Sequence, residues 1–145
     1  MRVREAMTQD VKLVNPDQTI QDAARLMSEC DIGALPVGQG DRLVGMLTDR
    51  DIAVRAVAEG RGPDTRIGDV MSQEVMYCYD DEDLDHVTHN MGNIQVRRLP
   101  VVSRDKRLVG IVSIGDIAGC GNPKKTGQAV SGISTPGGSH SQTAH

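Results

Sequence analysis

Gly45-Met46-Leu47-Thr48-Asp49-Arg50-Asp51-Ile52 returns later in the chain as Gly110-Ile111-Val112-Ser113-Ile114-Gly115-Asp116-Ile117. In both stretches an apolar, strand-like run ends in a hydroxyl residue, and an aspartate follows three positions later as a helical pattern opens. Working outward, residues 3–38 align with 67–102, and 42–53 align with 107–118. Fifteen of the 48 aligned pairs are identical, against about three expected by chance for this composition, which is the mark of a structural repeat. Met7/Met71, Asp17/Asp81, Met27/Met91, Leu35/Leu99, Pro36/Pro100 and Val37/Val101 carry the first block. Arg42/Arg107 through Gly45/Gly110 and Asp51/Asp116 through Ala53/Ala118 carry the second. A unit of about 60 residues buries too little surface to stand comfortably alone, so the two copies are expected to share their stability.

Each copy reads as β-α-β-β-α. A short helical turn ends at Met7 or Met71, and a strand follows over 11–14 or 75–78. Ile20, Ala23, Ala24 and Met27 then recur at i, i+3, i+4 and i+7, as an amphipathic helix requires, and Leu84, Val87 and Met91 match them. Thr19-x-x-Asp22 marks a helix start and Gly92 a stop. Strands are predicted over 34–37 and 43–47 and again over 99–102 and 108–112, with a second helix opening at Thr48 or Ser113. The fold class is therefore α/β (α+β), two repeats related by a pseudo-twofold axis. The organisation reads as repeat 1 over 1–58, a linker over 59–66, repeat 2 over 67–118, and a tail over 119–145. The tail is rich in Gly, Ser and Thr, shows neither a helical nor a strand period, and is expected to stay mobile unless a partner orders it.

Composition narrows the function. Of 145 residues, 38% are hydrophobic, two are Tyr, and none is Trp or Phe. The first 118 hold all 20 acidic and 14 of the 16 basic side chains, a net of −6. An acidic body without stacking residues is a poor nucleic-acid groove. No apolar run is long enough to span a membrane, and the charged opening Met1-Arg2-Val3-Arg4-Glu5 is not a secretory signal. Cys30, Cys78 and Cys120 are odd in number and widely spaced, so reduced thiols and a cytoplasmic location are expected.

The Thr48-x-x-Asp51 and Ser113-x-x-Asp116 pairs support two readings. One is a capping box that satisfies the open N–H groups of a helix start. The other is a nucleotide contact, the hydroxyl donating to phosphate and the carboxylate accepting from ribose hydroxyls, with Gly45 and Gly110 admitting the ligand close to the backbone.

The duplicated body over residues 3–118 resembles a tandem pair of CBS domains, a Bateman module. The resemblance rests on Ile32-Gly33-Ala34-Leu35-Pro36-Val37, on Val96-Arg97-Arg98-Leu99-Pro100-Val101-Val102, and on the two Gly-led endings that carry Thr48-x-x-Asp51 and Ser113-x-x-Asp116. It extends, more loosely, to small stand-alone two-CBS proteins of the hypoxic-response type. It implies a non-catalytic regulatory module, not an enzyme, that requires no cofactor and binds an adenosyl ligand such as AMP, ADP, ATP, NADH or S-adenosylmethionine in the cleft between repeats. By that resemblance Thr48 and Ser113 meet phosphate, Asp51 and Asp116 hold ribose, and Arg97 and Arg98 are cationic phosphate contacts. Ala34, Leu35, Leu99 and Pro100 grip the base through their backbone, and Tyr79 stands at its edge. The counterparts of Arg97 and Arg98 are Gly33 and Ala34, so the two sites are unequal. The resemblance also implies a homodimer built on helix faces with residues such as Ile52, Ala56 and Val57, and a regulated protein partner of unknown identity. The alternative is a ligand-free, stress-related interaction protein in which both motifs are only caps.

His86 and His89, three apart beside Asp81, Glu82, Asp83 and Asp85, could share a metal on one helical face. Their repeat counterparts Asp22 and Arg25 favour a solvated face instead, and no metal site is assigned. Cys30 and Cys78 align with apolar positions and read as small core residues, whereas Cys120 reads as exposed.

Overall fold

The computed structural model describes residues 1–136. The elements run α1 (Val3–Ala6), α2 (Ile20–Cys30), β1 (Ala34–Gln39), β2 (Arg42–Thr48) and α3 (Asp49–Asp51), which widens into a π-helical stretch over Ile52–Val57. After a 3₁₀ turn at Ile67–Asp69 come β3 (Cys78–Tyr79), α4 (Leu84–Ile94), β4 (Arg98–Val102), β5 (Leu108–Ser113), α5 (Ile114–Cys120) and α6 (Pro123–Ser134). Mixed helix and sheet in a repeated order is the α+β class expected from the sequence.

The chain forms two compact units that do not coincide with contiguous halves. One is Lys12–Val75. The other joins Met1–Val11 to the chain from Met76 onward. The N-terminal eleven residues thus belong to the second repeat's unit. Val3 and Arg4 donate to the carbonyls of Glu82 and Asp80, and Thr8 exchanges both backbone bonds with Ile111 of β5. Ser72 does the same with Met46 of β2 in the other unit. Each sheet therefore has the same layout. In one, Val14 bridges β1, β1 pairs with β2, and Ser72 edges β2; in the other, β3 pairs with β4, β4 with β5, and Thr8 edges β5.

The first strand of each repeat is shorter than its apolar pattern predicts. Only Val14 bridges in one unit, and only Cys78–Tyr79 pair in the other. Proline is the cause. In a parallel ladder the next bond toward the N-terminus needs the N–H of Pro36 or Pro100, which proline lacks.

Leu35, Val37, Leu47, Ile20, Ala23, Met27 and Ala56 fill one core, and Leu99, Val101, Val112, Leu84, Val87, Met91 and Ile117 fill the other. These are the periodic positions of the sequence, except Ala24, which the spacing places on the same face of α2 but which is exposed. Ala56 is fully buried, so it does not belong to an outward helix face; Val54 and Val57 do, at 46% and 66% exposure.

Three further expectations need correction. Gly45 and Gly110 do not admit a ligand. A Cβ on Gly45 would stand 2.6 Å from the Met71 sulfur and 2.9 Å from the Ser72 carbonyl oxygen. One on Gly110 would meet the Met7 sulfur at 2.7 Å and the Thr8 carbonyl oxygen at 2.9 Å. Both glycines make room for the edging segments. Gly92 does not stop α4, which runs to Ile94 and ends with Gln95 in the left-handed conformation (φ 60°). Finally, the stretch after Gly119 holds α6, with Thr126, Ala129 and Ile133 buried against the unit; with Val130 they stand at i, i+3, i+4 and i+7, a helical period carried by mostly small residues among Gly and Ser. Residues 137–145 of that stretch lie outside the described residues.

Gly45→Ala and Gly110→Ala should each destabilise by about 1–3 kcal/mol, the usual cost of overpacking. Gly119→Ala, with nothing within 4 Å, should be neutral or slightly stabilising. Urea melts of the three variants against the parent chain check the contrast.

Candidate functional site

Each unit carries the same junction between its last strand and the helix that follows. At the end of β2, the Thr48 hydroxyl oxygen accepts from the Asp51 N–H at 3.0 Å, while Asp51 Oδ2 accepts from the Thr48 N–H at 2.9 Å. At the end of β5, Ser113 and Asp116 make the same pair of bonds at 3.1 and 3.0 Å. The backbone angles agree as well: φ −113°, ψ 161° at Thr48 and φ −117°, ψ 160° at Ser113. A third bond fastens the helix start to the head of the neighbouring strand. Asp49 N–H donates to the Gly33 carbonyl at 3.0 Å, and Ile114 N–H to the Arg97 carbonyl at 2.9 Å.

This scaffold brings the predicted residues together within each unit, except Tyr79, which pairs with Val102 at the far end of β4 from Arg98. Ala34 stands opposite Thr48 in the β1–β2 register, and Arg98 stands opposite Ser113 in the β4–β5 register. Ala34, Leu35, Leu99 and Pro100 are buried. With Leu35 and Leu99 committed to the cores, their backbone is what remains to meet anything outside.

Capping and binding draw on different atoms of the same side chains. A hydroxyl whose oxygen accepts from an amide keeps its proton to donate, and a carboxylate whose Oδ2 takes the cap has a second oxygen.

The two junctions differ in charge. Arg97 and Arg98, both exposed, flank Ser113 and Asp116 in one unit. The matching positions in the other hold Gly33 and Ala34, and the Asp49 carboxylate lies against Gly33, where a Cβ would be 3.0 Å from Oδ2. The cation nearest Asp51 is Arg55, at 3.9 Å, and its guanidinium also donates to the Val70 and Met71 carbonyls. The residue matching Arg55 is Cys120, whose thiol donates to the Asp116 carbonyl at 3.2 Å.

Tyr79 stands beside Val102 on β3. The Arg104 guanidinium carbon lies 4.1 Å from its ring centre, and Tyr77 meets the ring edge-on at 5.7 Å. Arg104 is held there by a forked pair of bonds to Asp81 at 3.0 and 2.9 Å, which lowers the Asp81 carboxyl below its ordinary range. Sequence reasoning missed Arg104. It falls in the turn where the second repeat has one more residue than the first, so it has no counterpart.

His86 and His89 sit on the exposed side of α4, their Nε2 atoms 3.2 and 3.1 Å from the side-chain amides of Asn90 and Asn93. Among the described residues no three His, Cys, Asp or Glu side chains converge as a metal site would need. No helix among them is long and apolar enough to cross a membrane.

The family model described as CBS domain matches residues 3–57 and 67–120. The CBS domain-containing protein YhcV of Bacillus subtilis is 46% identical over 116 residues, covering 80% of this chain and 82% of its own. The crystal structure of Hypoxic Response Protein I with two coordinated zinc ions is 41% identical with a TM-score of 0.75, and the match covers 83% of this chain and 98% of that one. The CBS domain pair of protein MJ0100, in complex with 5'-methylthioadenosine and S-adenosyl-L-methionine, is 29% identical with a TM-score of 0.73, over 81% and 93% of the two chains.

The thiols should separate sharply. Burial, aided by Glu82 and Asp80, pushes the Cys78 thiol from 9.0 up to about 12, so it stays protonated and inert. In native protein at pH 8, iodoacetamide should label exposed Cys120 and spare Cys78 until denaturant is added; mass spectrometry of the peptides reads the difference. Because the folded value is raised, the contribution of Cys78 to stability is complete below pH 9 and is lost as pH rises toward 12.

Proposed function

The chain belongs to the CBS-domain family, with two copies in tandem, and on that footing we propose that it is a non-catalytic sensor that binds an adenosyl ligand. The observation that carries this reading is the company kept by one junction. Arg97 and Arg98 supply planar, always-charged donors suited to phosphate oxygens, beside a hydroxyl that can donate and a carboxylate that can accept from ribose. The complex of MJ0100 with adenosyl compounds supports the ligand class. A phosphorylated ligand such as AMP, ADP, ATP or NADH goes to the Ser113–Asp116 junction. The Thr48–Asp51 junction, with Asp49 in place of a cation, repels polyphosphate and suits an uncharged or sulfonium-bearing adenosyl compound.

The output is conformational: a ligand that prefers one arrangement of the protein shifts the population toward it. The exposed Val54 and Val57 on the helix after Thr48 are the face on which a second copy pairs, so the working form is a homodimer that signals to a protein partner.

A ligand-free reading has an observation of its own, since both Thr/Ser–Asp pairs already serve as reciprocal caps. Thermal-shift titration separates the two. AMP, ATP and S-adenosylmethionine should raise the melting temperature of the parent chain. Arg98→Ala, an exposed substitution with little effect on the unliganded protein, should weaken AMP and ATP by about tenfold or more, as expected for a lost charge-assisted bond, and leave S-adenosylmethionine unaffected. Asp116→Ala should lose about 0.5–2 kcal/mol as a cap and lose AMP binding besides. A chain that no adenosyl compound shifts, with Asp116→Ala costing stability alone, is the ligand-free protein.

A further inference from the structure

Helix α6 has no counterpart in the first repeat, and it lies beyond the family match, which ends at residue 120. We propose that α6 is a releasable latch, helical only while seated on α4, and that the seat it vacates takes the α6 of a second copy of this chain.

The sequence of α6 does not hold a helix by itself. Among its twelve residues are two Gly, two Ser and a Thr. The glycines alone cost about 2 kcal/mol of helix propensity relative to alanine, and an isolated helix of this length is marginal in water. Lys124 and Lys125 occupy the first turn, where the helix dipole disfavours cations. Asn122, accepting from the N–H groups of both lysines, and Pro123 at the first position help the helix to start. What sustains it is the seat.

The seat is shaped for this segment. α6 runs parallel to α4: Lys125 pairs with Asp85 at 3.8 Å near one end, Ala129 lies on Gly92 midway, and the Gln95 amide donates to the carbonyls of Gly132 and Thr135 at the other. The backbones touch. A Cβ on Gly92 would be 2.9 Å from the Ala129 Cα, and one on Gly132 would be 2.7 Å from the Gly92 oxygen. Beneath α6, Thr88 is 1% exposed and Gly92 is buried, whereas their repeat counterparts Ala24 and Ser28 on α2 are exposed. α6 therefore closes a helix face that the first repeat leaves open.

The occupant in trans follows from how α6 is attached. It packs on α4 and, less, on α5, and only Gly121 and Asn122 join it to α5. That joint is tight: Gly121 N–H meets the Ile117 carbonyl at 2.6 Å, and a Cβ there would stand 2.8 Å from the same oxygen. Short, tight hinges favour exchange of a terminal element between copies. Every contact α6 makes in its own chain is available from another copy, and the covalent link adds only effective concentration. Charge is complementary for either copy's α6, with two lysines on its first turn and Asp83 and Asp85 at the matching end of the seat.

Hydrogen exchange of full-length variants tests the latch. Gly127, with nothing within 4 Å, should as Gly127→Ala slow exchange over 123–134 about fivefold; Gly132→Ala should speed it at least tenfold, and β4 and β5 should not respond to either. Exchange over 123–134 that tracks β4 and β5 in both variants would overturn the proposal. A fluorescent peptide of residues 122–136 tests the seat: it should bind saturably to full-length Gly132→Val and at least tenfold more weakly to the parent chain. No binding to a Gly132→Val chain that keeps β4 and β5 protected overturns exchange between copies. Loss of that protection overturns the independence of the latch.

Discussion

The junction between the last strand and the following helix is the constraint on which each unit depends. Three bonds fix it: a hydroxyl oxygen accepting from the Asp N–H, the Asp carboxylate accepting from the hydroxyl residue's N–H, and the helix start donating to the carbonyl that heads the neighbouring strand. Together they satisfy N–H groups that a helix start leaves open. They also hold Thr48 or Ser113, the matching Asp, and the strand-head residue in one place. The cap and the candidate site are thus one arrangement, and in the proposed reading capping preorganises the site rather than competing with it.

Duplication kept this backbone and changed what stands on it. The junction angles agree within 4° in φ and 1° in ψ, yet one junction carries Arg97 and Arg98 and the other carries Gly33, Ala34 and Asp49. Arg55, the cation near Asp51, is shared with two backbone carbonyls, so its charge is turned toward the fold. In the proposed reading, two junctions of one geometry and unequal charge let a sensor distinguish an anionic ligand from a neutral or cationic one, because the local field decides which form is attracted.

Much of this was legible in the sequence. The helix of 20–30 announced itself by apolar spacing, and Thr19-x-x-Asp22 proved a reciprocal cap. The strand pairs followed from matched runs ending at the same hydroxyl positions. What escaped did so for physical reasons. A glycine says that space is short, not what fills it, so Gly45 and Gly110 pointed to a ligand when the occupants are Met71 and Met7. Gly92 pointed to a helix end for the same reason, when another helix rests on it. α6 buries Thr126, Ala129 and Ile133, a face too small and too polar to stand out from a Gly- and Ser-rich background. The pairing of residues 1–11 with the second repeat depends on bonds across most of the chain, which no local pattern records.

The family relationship establishes the fold and the doubled plan, and the charge on the second junction carries the functional claim. An ATP titration of the ¹⁵N-labelled full-length protein, followed through backbone amide shifts, tests that claim most directly. The amides of Arg98, Ser113 and Asp116 should move first and saturate, while those of Ala34, Thr48 and Asp51 stay in place at the same concentrations. Movement at Thr48 ahead of Ser113, or no movement at either, would contradict the account.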